Sequence, residues 1–193
     1  HALQIQEYRR PEFEVTARPE STGPYFVGTP ATVAVDATYF AGGPLADAEV
    51  SWLVSTSRTT YRPPGWDDFQ FGIWQPWWWF GEGGERAEIG IDGGWCVDCP
   101  PGGAVEYEEL AGRTDAAGSH YLEFELGAAE IDLPSTVTAE ATVLDVDRQA
   151  WASRTDLIVH PADAYVGLRS DRTFVEAGAP LRYDAVVTDL AAR

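Results

Sequence analysis

Neither lysine nor methionine occurs in this chain, and cysteine occurs only twice. With lysine absent, all 13 basic residues are arginines, outnumbered by 31 acidic ones to leave a formal charge of −18. So acidic a surface repels phosphate backbones and anionic bilayers, which argues against nucleic-acid binding and membrane-surface attachment. No run of 18 apolar residues is present, so no membrane insertion by this segment is expected. A basic-then-apolar leader is also missing. The chain opens His1-Ala2-Leu3 with no initiating methionine, and the expectation is an internal piece of a longer protein whose leader would lie upstream. No stretch carries an apolar stripe at helical spacing; Ala128-Ala129-Glu130 would make one short turn at most.

The two cysteines form a single Cys96-Val97-Asp98-Cys99. Such a pair can be a local disulfide, a thiol pair, a redox motif or half of a zinc site. A structural zinc site takes about four ligands, but no second pair exists and His1, His120 and His160 are scattered. A redox pair of this type normally precedes a helix, whereas Pro100, Pro101, Gly102 and Gly103 follow here. A structural disulfide or a thiol pair is favoured, and in an oxidising compartment Cys96 and Cys99 would close a small ring.

What fills the chain instead is a period of two. Phe13-Glu14-Val15-Thr16-Ala17, Val33-Ala34-Val35-Asp36-Ala37-Thr38-Tyr39 and Tyr121-Leu122-Glu123-Phe124-Glu125-Leu126 alternate apolar and polar residues, as half-buried strands do. Val50–Ser55, Thr136–Leu144 and Arg154–Val159 continue the pattern, separated by turn signals such as Ala41-Gly42-Gly43-Pro44, Asp115-Ala116-Ala117-Gly118 and Asp145-Val146-Asp147-Arg148. The expected fold is all-β, an antiparallel β-sandwich of roughly seven strands. Its core should take in Phe13, Val15, Val33, Val35, Trp52, Tyr121, Leu122 or Phe124, Val137, Val143, Leu157 and Val159.

One segment breaks this rhythm. Between about residues 62 and 112 lie six of the eight tryptophans, including Trp74-Gln75-Pro76-Trp77-Trp78-Trp79, amid many glycines and prolines. Loops this long are either functional or ordered by their own packing. It reads as an insertion between two strands, folded back on one face of the sandwich. Two roles are open to it: a satellite hydrophobic cluster, or a patch that binds a glycan, peptide or partner protein through Trp74, Trp77, Trp78 and Trp79.

An internal repeat adds a second level of organisation. Phe26-Val27-Gly28-Thr29-Pro30 and Val175-Glu176-Ala177-Gly178-Ala179-Pro180 place Gly-x-Pro 150 positions apart, each ahead of an alternating strand. Repeats of this kind mark modular arrays. The expectation is one domain over 1–162 carrying the insertion, and the first strands of a following, truncated domain over 163–193. The strand around Leu181–Thr188 would then lack a partner sheet and leave an open edge.

Four phrases together resemble the macroglobulin-like domains of bacterial alpha-2-macroglobulins. Gln4-Ile5-Gln6-Glu7-Tyr8-Arg9-Arg10-Pro11-Glu12-Phe13-Glu14-Val15 is similar to the junction where one such domain passes into the next. Tyr39-Phe40-Ala41-Gly42-Gly43-Pro44-Leu45-Ala46-Asp47-Ala48-Glu49-Val50 resembles that domain's hairpin. Thr114-Asp115-Ala116-Ala117-Gly118-Ser119 resembles the turn before a later strand, and Val159-His160-Pro161-Ala162-Asp163-Ala164-Tyr165 the linker into the next domain. The insertion and its cysteines are not part of that pattern. The resemblance implies a periplasmic or extracellular, surface-attached parent that traps proteases with a bait segment and a Cys-x-Glu-Gln thioester. Asp98 and Cys99 stand where the glutamate and glutamine would be, so the thioester chemistry is not expected in this segment, which would lie upstream of bait and thioester. Its partners would be neighbouring domains of the parent chain, and proteases through the intact parent.

Nothing in the residues asks for catalysis. Asp67-Asp68 and Glu108-Glu109 are neighbours that strand geometry turns apart or loops leave solvated. Ser119-His120 comes without a Gly-x-Ser-x-Gly elbow. Asp145 and Asp147 with Asp132 lack the spacing of a calcium loop, and no glycine-rich phosphate loop leads into a helix. A non-catalytic structural module without cofactor or metal is expected, with a binding module as the alternative.

Overall fold

A computed structural model describes residues 12–72, 106–127, 133–172 and 175–193. Every regular element in these residues is a strand: β1 (Phe13–Pro19), β2 (Tyr25–Phe26), β3 (Pro30–Tyr39), β4 (Glu49–Arg58), β5 (Gln70–Phe71), β6 (Glu106–Arg113), β7 (Ser119–Glu125), β8 (Ser135–Leu144), β9 (Ala150–His160), β10 (Ala164–Ser170) and β11 (Tyr183–Asp189). A three-stranded sheet, β1-β3-β7, packs on a five-stranded one, β2-β9-β8-β4-β6, and the two form the expected sandwich. The pairing is antiparallel except for the two residues of β2, which run parallel to the end of β9.

Alternation decides which face each strand buries. In β8 every second residue, Ser135, Val137, Ala139, Ala141 and Val143, lies inside, and β4 turns Val50, Trp52 and Val54 the same way. From the opposite sheet Phe13, Val33, Val35 and Ala37 meet them, with Leu157 and Val159 of β9 closing the core. Fully burying a side chain the size of Phe13 or Leu157 contributes roughly 1.5–3 kcal/mol. The Trp52 indole N–H, which needs a partner when buried, donates to His120 Nδ1 at 3.1 Å. His120 in turn fills the space beside Gly112, where an added Cβ would lie 2.0 Å from the ring's Nε2.

Three expectations need correction. Tyr121 is not core but 54% exposed. Leu122 pairs with Val33 and Phe124 with Ala31, and paired residues share a face, so parity sends Tyr121 outward. The insertion ends earlier than residue 112, because β6 pairs with β4 from Glu106 onward. Finally, the strand in the last thirty residues does have a partner: β11 pairs along its whole length with β10, and β5 joins β10 on its other side.

Candidate functional site

The sandwich and the three-stranded sheet β11-β10-β5 meet where β9 passes into β10. His160, the last residue of β9, is buried, and its Nδ1 shares a 2.7 Å hydrogen bond with the Tyr165 hydroxyl. The Tyr61 ring stands edge-on to His160 with centroids 4.7 Å apart and lies 5.1 Å from the Tyr165 ring. Its hydroxyl donates to the Leu190 carbonyl at 3.1 Å. Burial pushes the Tyr165 hydroxyl up to about 12, helped by its neighbour Tyr61. Burial likewise holds His160 below the usual histidine range. Burial thus favours the neutral forms of both His160 and Tyr165.

The first limb of the insertion reaches this same sheet rather than a face of the sandwich, which corrects the sequence expectation for its described part. Gln70 and Phe71 pair with Leu168 and Gly167. Phe71 is buried over Gly167, where an added Cβ would stand 2.6 Å from the phenyl ring. Phe69 lies under the Arg169 guanidinium at 4.7 Å and packs edge-on against Trp66.

The β10–β11 hairpin repeats β1–β3 strand for strand. Phe13↔Tyr39 becomes Ala164↔Asp189, Val15↔Ala37 becomes Val166↔Val187, and Pro19↔Val33 becomes Ser170↔Tyr183. Gly28 and Gly178 both adopt positive φ, 76° and 86°, a conformation glycine enters without penalty. Backbone bonds recur too: Thr29 N–H to the Phe26 carbonyl matches Ala179 to Glu176, and Glu20 to Thr32 matches Asp171 to Arg182. What differs is the cover. Val33, Val35 and Ala37 are 0% exposed under the five-stranded sheet, whereas their counterparts Tyr183 and Val187 are 61% and 68% exposed, with Val166 at 59% and Leu168 at 48%. One face of the hairpin is a continuous apolar surface, larger than scattered surface residues would make it.

No protein-family model matches the chain. Over 175 residues it is 28% identical to Circularly permutated Ras protein 2 of Dictyostelium discoideum, a match covering 88% of this chain and 4% of that protein. Solved structures are more telling. Escherichia coli alpha-2-macroglobulin activated by porcine elastase superposes with a TM-score of 0.65 at 16% identity, over 96% of this chain and 15% of that one. Salmonella alpha-2-macroglobulin reacted with methylamine gives 0.59 at 15% identity, over 86% and 9%. The fold is that of macroglobulin-like domains. The chain spans a small fraction of the length of each protein it matches.

Elsewhere on the macroglobulin-like sandwich the sequence candidates stay apart. Ser119 donates to Asp36 at 2.6 Å on the outer face, while His120 turns inward to Trp52. Asp67 and Asp68 are exposed, 3.9 Å from Arg62 and Arg169 respectively. Glu108 and Glu109 alternate along the edge strand β6. A cavity of about 390 Å3 at the sandwich end joins Glu108 and Glu125 to an apolar wall of Val54, Phe124, Leu126 and Val137, with no histidine, cysteine or serine among its described lining residues. Trp74, Trp77, Trp78, Trp79, Cys96, Cys99 and Asp132 lie outside the described residues.

The turn between β8 and β9 brings together a cluster the sequence reading saw only in part. Oxygens of Glu12, Asp145 and Asp147 fall within 4.8 Å of one another. Asp145 is buried, and its Oδ1 accepts from the Tyr39 hydroxyl at 2.9 Å and the Val146 N–H at 2.6 Å. Burial and then Asp145 hold the Tyr39 hydroxyl above its ordinary range. Protein donors thus satisfy the buried oxygen without an ion. Tyr39→Phe, which keeps the ring against Phe13, should cost about 1–3 kcal/mol in urea unfolding by removing one of the two donors to that carboxylate oxygen. Millimolar calcium should leave the wild-type melting temperature unchanged; a calcium-dependent rise would make the cluster a metal site.

Proposed function

We propose that this chain is a non-catalytic structural module of an alpha-2-macroglobulin-like, protease-trapping protein. It comprises one macroglobulin-like domain over 1–162 and the opening strands of the next over 163–193, and its parent is periplasmic or extracellular. The observation that carries this reading is the uncovered face of β10 and β11. In register it repeats the half-core of the sandwich, so it has the shape and chemistry of a core waiting for its second sheet. A working enzyme needs positioned acids, bases or nucleophiles, whereas a spacing element needs a stiff sandwich and defined ends.

The reading makes an asymmetric prediction for matched substitutions. Ala37→Asp, at the sandwich position that Val187 repeats, should unfold the sandwich, since burying an unpaired carboxylate costs several kcal/mol. Val187→Asp should shift stability by no more than about 0.5 kcal/mol in this chain, as surface changes do. In the intact parent, Val187→Asp should instead destabilise, because the face would there be covered. Equal tolerance of Val187→Asp in both settings would sink the domain assignment. Protease trapping has its own test: trypsin added to the parent should stay associated on gel filtration, and free elution of active trypsin would sink that function while leaving the modular reading intact.

A further inference from the structure

We infer that the first limb of the insertion, Tyr61 to Phe71, is a clasp that fixes the sandwich to the sheet behind it at one angle. β4 and β6 are paired neighbours, and a turn of two to five residues or so would join them. The chain instead leaves β4 at Arg58, buries Pro63, and runs to the far side of β10. By the register repeat, β10 stands where β1 stands and β11 where β3 stands. Among the described residues of the sandwich β1 ends its sheet, whereas β10 carries β5 beyond it. The strand that the limb contributes therefore has no counterpart among the described residues of the sandwich. It is an addition made by the insertion.

Attachments from both the linker and the limb converge on the joint. The backbone through Pro161 and the His160–Tyr165 hydrogen bond belong to the linker itself. Tyr61 then wedges between His160 and Leu190, and Phe71 sits in the notch that Gly167 leaves by having no side chain. Arg169 ties the outer end, with Phe69 on one side and Asp184 at 2.8 Å on the other. Domains linked only by a short peptide swing unless an interface holds them. Here any swing breaks the β5–β10 pairing and exposes Phe71 and Tyr61 together. The inference stands apart from protease trapping and needs no ligand.

The test uses the whole 193-residue chain in weakly aligned solution, with residual dipolar couplings collected separately for the sandwich and for β10–β11. In the wild type both sheets should fit one alignment tensor, and the amides of Gly167 and Leu168 should exchange slowly. Gly167→Val, which fills the notch, should split the fit into two tensors and speed those amides at least tenfold. Because Gly167→Val could also unpick the hairpin, Phe71→Ala provides the second arm: it empties the notch, leaves β10–β11 untouched, and should have the same effect. Two tensors already in the wild type would overturn the clasp. One tensor retained in Phe71→Ala would overturn it as well, assigning the angle to His160 and Tyr165 alone.

Discussion

Trp52→Ala should lower stability by about 3–5 kcal/mol, the range for emptying a buried aromatic site. Trp52 is fully enclosed between the sheets, pairs across β4 with Leu110 and Ala141, and anchors His120 through its indole N–H. The truncation removes the ring and strands the histidine nitrogen. Trp52→Phe separates the two effects: much of the volume remains, and the lost hydrogen bond should cost about 1–3 kcal/mol. Trp151→Ala is the control, because that ring is 42% exposed at a strand edge, and about 0.5 kcal/mol or less is expected there. Urea unfolding followed by far-ultraviolet circular dichroism measures all three. Comparable losses for Trp52→Ala and Trp151→Ala would contradict the core described above.

Acid should loosen the molecule well before its carboxylates titrate. His160 and His120 are both held below the ordinary histidine range, each chiefly by burial, with Asp115 opposing the shift at His120. The unfolded chain protonates near pH 6.5 or so, while the folded one resists. Stability is therefore complete above that pH and declines as pH falls from there toward the lowered folded values. The slope is at most about 1.4 kcal/mol per pH unit for each proton taken up only on unfolding. His160, enclosed by Tyr61, Tyr165 and Phe26, should account for more of it than the partly exposed His120. Urea midpoints at pH 7.5 and 5.5 should differ in the wild type and converge in His160→Gln. An identical wild-type and His160→Gln profile would mean that His160 binds its proton equally well in the folded and unfolded chain.

How far such features were legible depends on how local their cause is. β8 could be read directly, because a single buried face imposes strict alternation over ten residues, and β3 departs from that alternation only at Ala34, which is buried on the opposite face. β6 could not: Glu106-Tyr107-Glu108-Glu109-Leu110-Ala111-Gly112-Arg113 has almost no apolar rhythm, and its extended form comes from pairing along β4. The two residues of β5 are too few for any period, and their position is set by a glycine nearly a hundred residues away. Tyr61, His160 and Tyr165 each look unremarkable in the sequence, and only the fold gathers them. The Asp145–Asp147 pair was visible, but Tyr39 and Glu12, which give it its setting, come from the other sheet and its lead-in. The repeat was the exception. Gly-x-Pro at 28–30 and at 178–180 matched the strands that follow them, β3 and β11, whereas the correspondence of β1 with β10 emerges only from the pairing.

The placement of β5 also matters for the order in which the chain is made. Gln70 and Phe71 precede Leu168 and Gly167, so on a ribosome the covering strand has emerged long before the strand it covers. Domains commonly fold as they are synthesised, and unpaired edges exposed in the interval are where wrong partners attach. In this chain the outer edge of β10 is occupied as soon as β10 can form. The β10–β11 hairpin thus begins life with one flank already shielded by the chain that precedes it.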